Sequence, residues 1–266
     1  MTDSTNPTSN ERAQFESDGF LLLEEFLPPD RVEMLLEKVE QAVARRREIE
    51  SKGITHTGMT NLNGENTRLF YILDDDPAFL DLMDDVLIMP YITGLLHEKP
   101  HFSASDINLE TEEGTGGFWW HLDGHDDGYR KLRPDIPLLQ LKVGYYLTDM
   151  TEPDQGNLML VPGSHHFPEE PPEEHKKEFE TFPGAIQVCA PAGSAFLFHN
   201  AVWHTRGPWT KPDGRRIIVY FAYDLPWMVS SAEHWSYPQT FYDSLSPKRR
   251  ALFHGFVFDP PEHRWG

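Results

Sequence analysis

The sequence predicts a mainly β fold of the jelly-roll type with helices flanking it. Three observations predict this. After Pro100, short runs rich in Val, Ile, Phe and Tyr alternate with Gly, Pro and Asp turns. No helical spacing intervenes between those runs, and two helical stretches precede Pro100. Many short strands without intervening helices form a sandwich or a barrel.

The elements follow in order. Residues 1–14 are polar and rich in Ser, Thr, Asn and Pro, so a disordered leader is expected there, followed by a single domain over 15–266. "GFLLLEEFL" reads as a strand. "PPDRVEMLLEKVEQAVARRR" then places Val32, Leu35, Leu36, Val39 and Val43 at helical spacing, with Asp30 as the expected N-cap. Arg45, Arg46 and Arg47 read as a solvated cationic helix end, favoured by the macrodipole. The Gly- and Asn-rich stretch from Gly53 to Asn66 is expected to be a lid over the barrel mouth. "PAFLDLMDDVLIMPYITGLL" is a second helical region, broken near Pro90. The strand candidates are "SASDINLE", "LLQLKVGYYL", "NLMLVPG", "AIQVCA", "SAFLFHN" and "RRIIVYFAY". "FPEEPPEEHKKEFE" is an acidic excursion with no assigned chemistry.

Composition bounds the function. Lys plus Arg is 23 against 43 Asp plus Glu, a net charge of −20, which repels nucleic-acid phosphates and anionic membranes alike. Neither kind of partner is expected, and a small molecule is. The lone Cys189 allows no internal disulfide, and its apolar neighbours predict packing in a strand rather than reactivity. With no basic, apolar leader and no apolar run of about 18 residues, a cytoplasmic setting is expected.

The chemistry concentrates in "GFWWHLDGHDD". If "FWWHLD" ends a strand, the period of two puts His121 and Asp123 on one face. A third ligand must come from elsewhere, and "SAFLFHNAVWHTRG" offers His199 and His204. Two imidazoles and one carboxylate on one face of a metal leave positions open, as in non-haem Fe(II) oxygenases. A bare H-x-D triplet arises by chance in many chains. Its context here is an aromatic wall of Phe118, Trp119 and Trp120, and a later His followed by an Arg at the start of a strongly β-patterned strand. That arginine is suited to clamp a carboxylate through two hydrogen bonds.

On these residues the chain resembles the phytanoyl-CoA dioxygenase family of Fe(II)- and 2-oxoglutarate-dependent oxygenases, which includes ectoine hydroxylase. "FESDGFLLLEEFLPPDRVEML" is similar to its opening strand and helix, "WHLD" to its H-x-D motif, "DQGNLMLVPGSHH" to its glycine-led strand, and "HTRGPWTKPDGRR" to its distal His followed by Arg. The resemblance runs from about Phe15 to Tyr223. It implies a double-stranded β-helix, with His121, Asp123 and His204 as metal ligands. It also implies Fe(II), 2-oxoglutarate as cosubstrate and O2, hydroxylation of a C–H bond in a small-molecule metabolite, and release of succinate and CO2.

The family's 2-oxoglutarate arginine lies eleven positions after the distal His, which selects Arg215; strand alternation then turns Arg216 to the other face. Asn108 stands where the family carries an amide near the cosubstrate, its other reading being a strand Asn facing solvent. Arg206 departs from the pattern, because a small hydroxyl residue is usual there. Either Thr205 takes over that hydrogen bond to 2-oxoglutarate, or Arg206 points away or toward substrate. His165 and His166 finish a turn, and His125, Asp126 and Asp127 are candidates for substrate contact. Asp123 speaks against a halogenase, where a small residue replaces the carboxylate. The rival reading is a cupin-like metal- or ligand-binding protein without oxygenase activity, which has no use for an arginine at that offset.

Overall fold

A computed structural model describes residues 6–52, 66–110, 120–123, 132–169, 182–210, 214–228 and 237–253. The chain opens with a helix, α1 (Ser9–Asp18), where a disordered leader was expected. Composition hid a capping box. The Thr8 hydroxyl accepts from the Glu11 amide at 3.2 Å, and the Glu11 carboxylate accepts from the Thr8 amide at 2.7 Å. Phe15 then anchors the helix in the core, and Gly19 ends it with φ +77°, in the left-handed region. A Cβ at Gly19 would lie 2.2 Å from Val202, so this glycine also allows the chain to pass close to the barrel.

Next come β1 (Phe20–Leu23) and α2 (Pro29–Ser51), whose buried positions Val32, Leu35, Val39, Ala42 and Val43 form the predicted stripe. Pro28, not Asp30, is its N-cap. Nor is the arginine run uniformly solvated. Arg46 is buried, pairs with Asp75 and donates to the carbonyls of Phe70 (2.8 Å) and Tyr71 (3.1 Å), because the last turns of α2 lie across that segment. After β2 (Asn66–Phe70), the second helical region is two helices, α3 (Pro77–Met83) and α4 (Met89–Leu96); Pro90 opens the second, where its missing N–H costs nothing.

Seven strands follow among the described residues: β3 (His101–Glu110), β4 (Gln140–Tyr146), β5 (Leu158–Leu160), β6 (Ile186–Gln187), β7 (Ala195–His199), β8 (His204–Arg206) and β9 (Arg216–Asp224). They form a six-stranded sheet in the order β1-β7-β4-β9-β3-β2 and a three-stranded sheet in the order β6-β5-β8. Every pairing among these strands is antiparallel. Two facing antiparallel sheets with helices on the outside make up the double-stranded β-helix. "AIQVCA" contributes only Ile186 and Gln187, so Cys189 lies half-buried beyond the strand.

The large sheet is covered on both faces. Outward residues Val143, Tyr145, Leu197, Ile217, Val219 and Phe221 pack with Leu35 and Val39 of α2 and with Phe79 of α3. Inward residues Tyr146, Phe196, Phe198, Ile218 and Tyr220 pack with Leu158 and Leu160 of the small sheet. At about 1.5 to 3 kcal/mol for each large apolar side chain removed from water, these two layers dominate stability. The lid expected over Gly53 to Asn66 falls outside the described residues except at Asn66, the first residue of β2.

Candidate metal centre

His121 and Asp123 are delivered by a short segment that docks against β8. His121 and His204 exchange both backbone hydrogen bonds, at 3.0 and 2.9 Å, and the Asp123 amide donates to the Asn200 carbonyl at 2.8 Å. The Asn200 side chain in turn accepts from the amides of Leu139 and Gln140, tying the segment to the start of β4. These bonds set His121, Asp123 and His204 around one point. One ligand atom from each lies within 4.8 Å of the other two, and His204 Nε2 is 3.5 Å from Asp123 Oδ2.

Local chemistry prepares these donors. His204 Nδ1 is 2.8 Å from the Val202 carbonyl; a carbonyl only accepts, so Nδ1 carries the proton and Nε2 offers its lone pair to the cavity. Burial, reinforced by neighbouring His121, lowers the His204 pKa to about 4, so its ring is neutral at pH 7. For Asp123, burial pushes the pKa up, but the Lys142 ammonium and the two imidazoles together hold it well below the usual range. Lys142 Nζ lies 3.5 Å from Asp123 Oδ2.

The triad opens into a cavity of about 110 Å³ between the sheets. β3 contributes Asp106, Asn108 and Glu110 at its period of two, β4 contributes Lys142, β8 contributes Thr205 and Arg206 beside His204, and β9 contributes Arg216 and Tyr220. Leu158 and Phe198 form its apolar wall, with the Phe198 ring 4.7 Å from that of His204.

Arg215 is not in this cavity, contrary to the expectation for the inward arginine. It precedes β9, its side chain is 47% exposed and it pairs with Glu40 on the outer helix α2. Arg216, 3% exposed, is the inward arginine. Its Nε donates to the Gly156 carbonyl at 2.5 Å and its Nη1 faces Glu110 at 3.4 Å. Gly156 has φ +76°, and a Cβ there would lie 2.7 Å from Arg216 Cδ, so the glycine of "DQGN" leaves the arginine its path. The offset from His204 is twelve positions instead of eleven, and β9 has apolar residues on both faces, so no polar alternation marks which parity faces inward.

The other candidates are placed as follows. Asn108 lines the cavity. The Thr205 hydroxyl is buried in the cavity wall with no hydrogen-bond partner among the described residues. Arg206 is buried in the cavity wall and pairs with Glu110 at 2.5 Å, so it does not point away. His199 lies apart from the triad: its Nδ1 accepts from the Ala201 amide at 3.0 Å, and its ring stacks with Phe15 and His165. His165 and His166 finish a single 3-10 turn, Ser164–His166. Phe118, Trp119, His125, Asp126 and Asp127 lie outside the described residues.

Sequence reasoning missed Lys142, Glu110, Asp106 and Tyr220. Two signals pointed to the first three. A lysine inside "LLQLKVGYYL" is costly in a central strand unless it faces a polar recess, and an inward Asn108 brings residues 106 and 110 with it.

Comparison with known proteins agrees with the architecture. Residues 15–217 match the phytanoyl-CoA dioxygenase family. An ectoine dioxygenase of Sphingopyxis alaskensis is 24% identical over 168 residues, covering 62% of this chain and 52% of that protein. The chain thus spans about half the length of that relative. The multifunctional dioxygenase ausE of Emericella nidulans is 23% identical over 265 residues, covering 94% and 84%. Among solved structures, HygX of Streptomyces hygroscopicus with nickel and 2-oxoglutarate bound superposes with a TM-score of 0.66 at 17% identity, covering 84% of this chain and 89% of that one.

Proposed function

The chain belongs to the phytanoyl-CoA dioxygenase family, and from that premise we propose that it is a non-haem Fe(II)- and 2-oxoglutarate-dependent dioxygenase. The reaction is hydroxylation of a C–H bond in a small-molecule metabolite, with release of succinate and CO2. The observation that carries this reading is the convergence of His121, Asp123 and His204 in one cavity with the buried Arg216. A structural metal site needs the first three and has no use for the fourth.

The residues fit the groups they would hold. Two imidazoles and one carboxylate suit a ferrous ion and leave its other positions open. The Thr205 hydroxyl, buried without a hydrogen-bond partner among the described residues and in the same cavity wall as the Arg216 guanidinium, suits a carboxylate. When bound, Fe(II) and 2-oxoglutarate supply the oxygen activation and the oxidising power. This chain's share is placement. His121, Asp123 and His204 would hold the metal, and Arg216 and Thr205 would hold the distal carboxylate of the keto acid; the Asn108 amide lies on the same wall. Phe198 and Leu158 exclude water from one side, which strengthens each polar contact in the cavity.

The test is aerobic turnover. With Fe(II), 2-oxoglutarate and O2, the protein should form succinate and CO2 in equal amounts, and the Asp123→Ala protein should form neither. Succinate production at the wild-type rate in Asp123→Ala contradicts the assignment.

A further inference from the structure

Lys142 takes no part in the reading above, although its position is unusual. It lies on the inward face of β4, its side chain is 15% exposed, and its ammonium is 3.5 Å from Asp123 Oδ2. That same oxygen is 3.5 Å from His204 Nε2, so the ammonium borders the point where the three donors converge. The other cavity cations are paired differently: Arg206 and Arg216 with Glu110, and Arg68 with Asp106. Among the described residues, only Lys142 has a member of the triad as its carboxylate partner.

Resting on the metal-centre reading, we propose that Lys142 is a positioning residue: an internal counter-cation that keeps the Asp123 carboxylate aimed into the cavity, and that divalent metal must displace from it. A buried carboxylate is tolerated when a cation accompanies it and is strongly destabilising when none does. Lys142 meets that need before metal binds. A divalent ion on His121, Asp123 and His204 meets it again from the other side, and two cations within a few ångströms of one carboxylate oxygen then repel each other. Lys142 therefore keeps the metal-free fold intact and lowers the affinity for metal. The two effects have one cause and opposite signs, which separates this role from a purely structural one.

The experiment is calorimetric titration of Mn(II), a redox-stable probe, into metal-free wild-type protein and into Lys142→Met, Lys142→Gln, Lys142→Arg and Asp123→Ala, with thermal melts of each protein with and without Mn(II). Lys142→Met and Lys142→Gln should melt lower than wild type without metal, yet bind Mn(II) roughly tenfold tighter or more and gain a larger rise in Tm from it. Lys142→Arg, which keeps the charge, should stay near the wild-type affinity. Unchanged or weaker Mn(II) binding in the two neutral variants overturns the inference while leaving the metal centre in place. Should Lys142→Met not fold, Lys142→Gln decides, since its amide is polar but carries no charge. Wild-type Mn(II) affinity in Asp123→Ala, by contrast, shows that the triad is not the metal centre.

Discussion

The two faces of the large sheet are built from the same strands and obey different rules. On the outer face, Val143, Val219 and Phe221 meet the helices through apolar contact shared among many neighbours, so the loss of one is felt as stability. On the inner face, Lys142, Arg216 and Tyr220 from those same strands line a charged cavity where each group has one or two specific partners. Adjacent residues along the chain therefore carry unrelated duties. Arg215 and Arg216 make the sharpest case, one pairing with Glu40 on an outer helix and the other reaching Glu110 inside the barrel.

Substitutions on the two faces should separate activity from stability. The largest effect is expected at the triad, where replacing His121, Asp123 or His204 by Ala should abolish succinate formation and metal binding while circular dichroism still reports a folded chain. A triad variant that unfolds would erase the distinction between the faces.

Next in size is Arg216→Ala. Removing one partner of a buried guanidinium–carboxylate pair costs about 2 to 5 kcal/mol, which is roughly 30- to 4000-fold in the apparent 2-oxoglutarate constant at about 1.4 kcal/mol per decade. Metal affinity should change far less, since Arg216 is paired with Glu110 and the Gly156 carbonyl and not with the triad. Arg216→Lys should recover only part of the loss, because an ammonium lacks the planar fork.

On the outer face, Phe221→Ala should cost about 3 to 5 kcal/mol in denaturant unfolding and leave the 2-oxoglutarate constant of the folded protein near wild type. A smaller and graded effect is expected from pH. Burial lowers His199 to about 3 and His165 to about 4, both below the ordinary value of about 6.5. Folding thus favours their neutral forms. Their stabilising contribution is complete above about pH 6.5 and is lost as pH falls toward 4 and then 3. Tm should decline across that window, and the decline should be shallower in His199→Gln, which stays neutral throughout. Smallest of all is Arg215→Ala, whose exposed ion pair with Glu40 is worth at most about 1 kcal/mol.

The sequence made the period-two chemistry legible and left the parity of β9 unreadable. "WHLD" and "HTRG" marked the triad, and the run of short apolar segments after Pro100 marked the barrel. "RRIIVYFAY" could not say which arginine turns inward, because a strand covered on both faces carries no alternation. An offset borrowed from relatives therefore decided it and missed by one residue. Glu110 and Lys142 were missed for a related reason: their partners, Arg206, Arg216 and Asp123, come from distant segments of the chain. The leader was misread because composition is a mean, whereas a capping box depends on two residues at one spacing.

The most direct measurement is an anaerobic titration of 2-oxoglutarate into the Fe(II)-loaded protein, following the weak visible charge-transfer band that appears when a keto acid chelates ferrous iron. The wild-type protein should develop the band, Arg215→Ala should develop it at the same concentration, and Arg216→Ala should require at least about 30-fold more. Absence of the band in wild-type protein shown to hold iron, or its loss in Arg215→Ala but not in Arg216→Ala, would contradict the account.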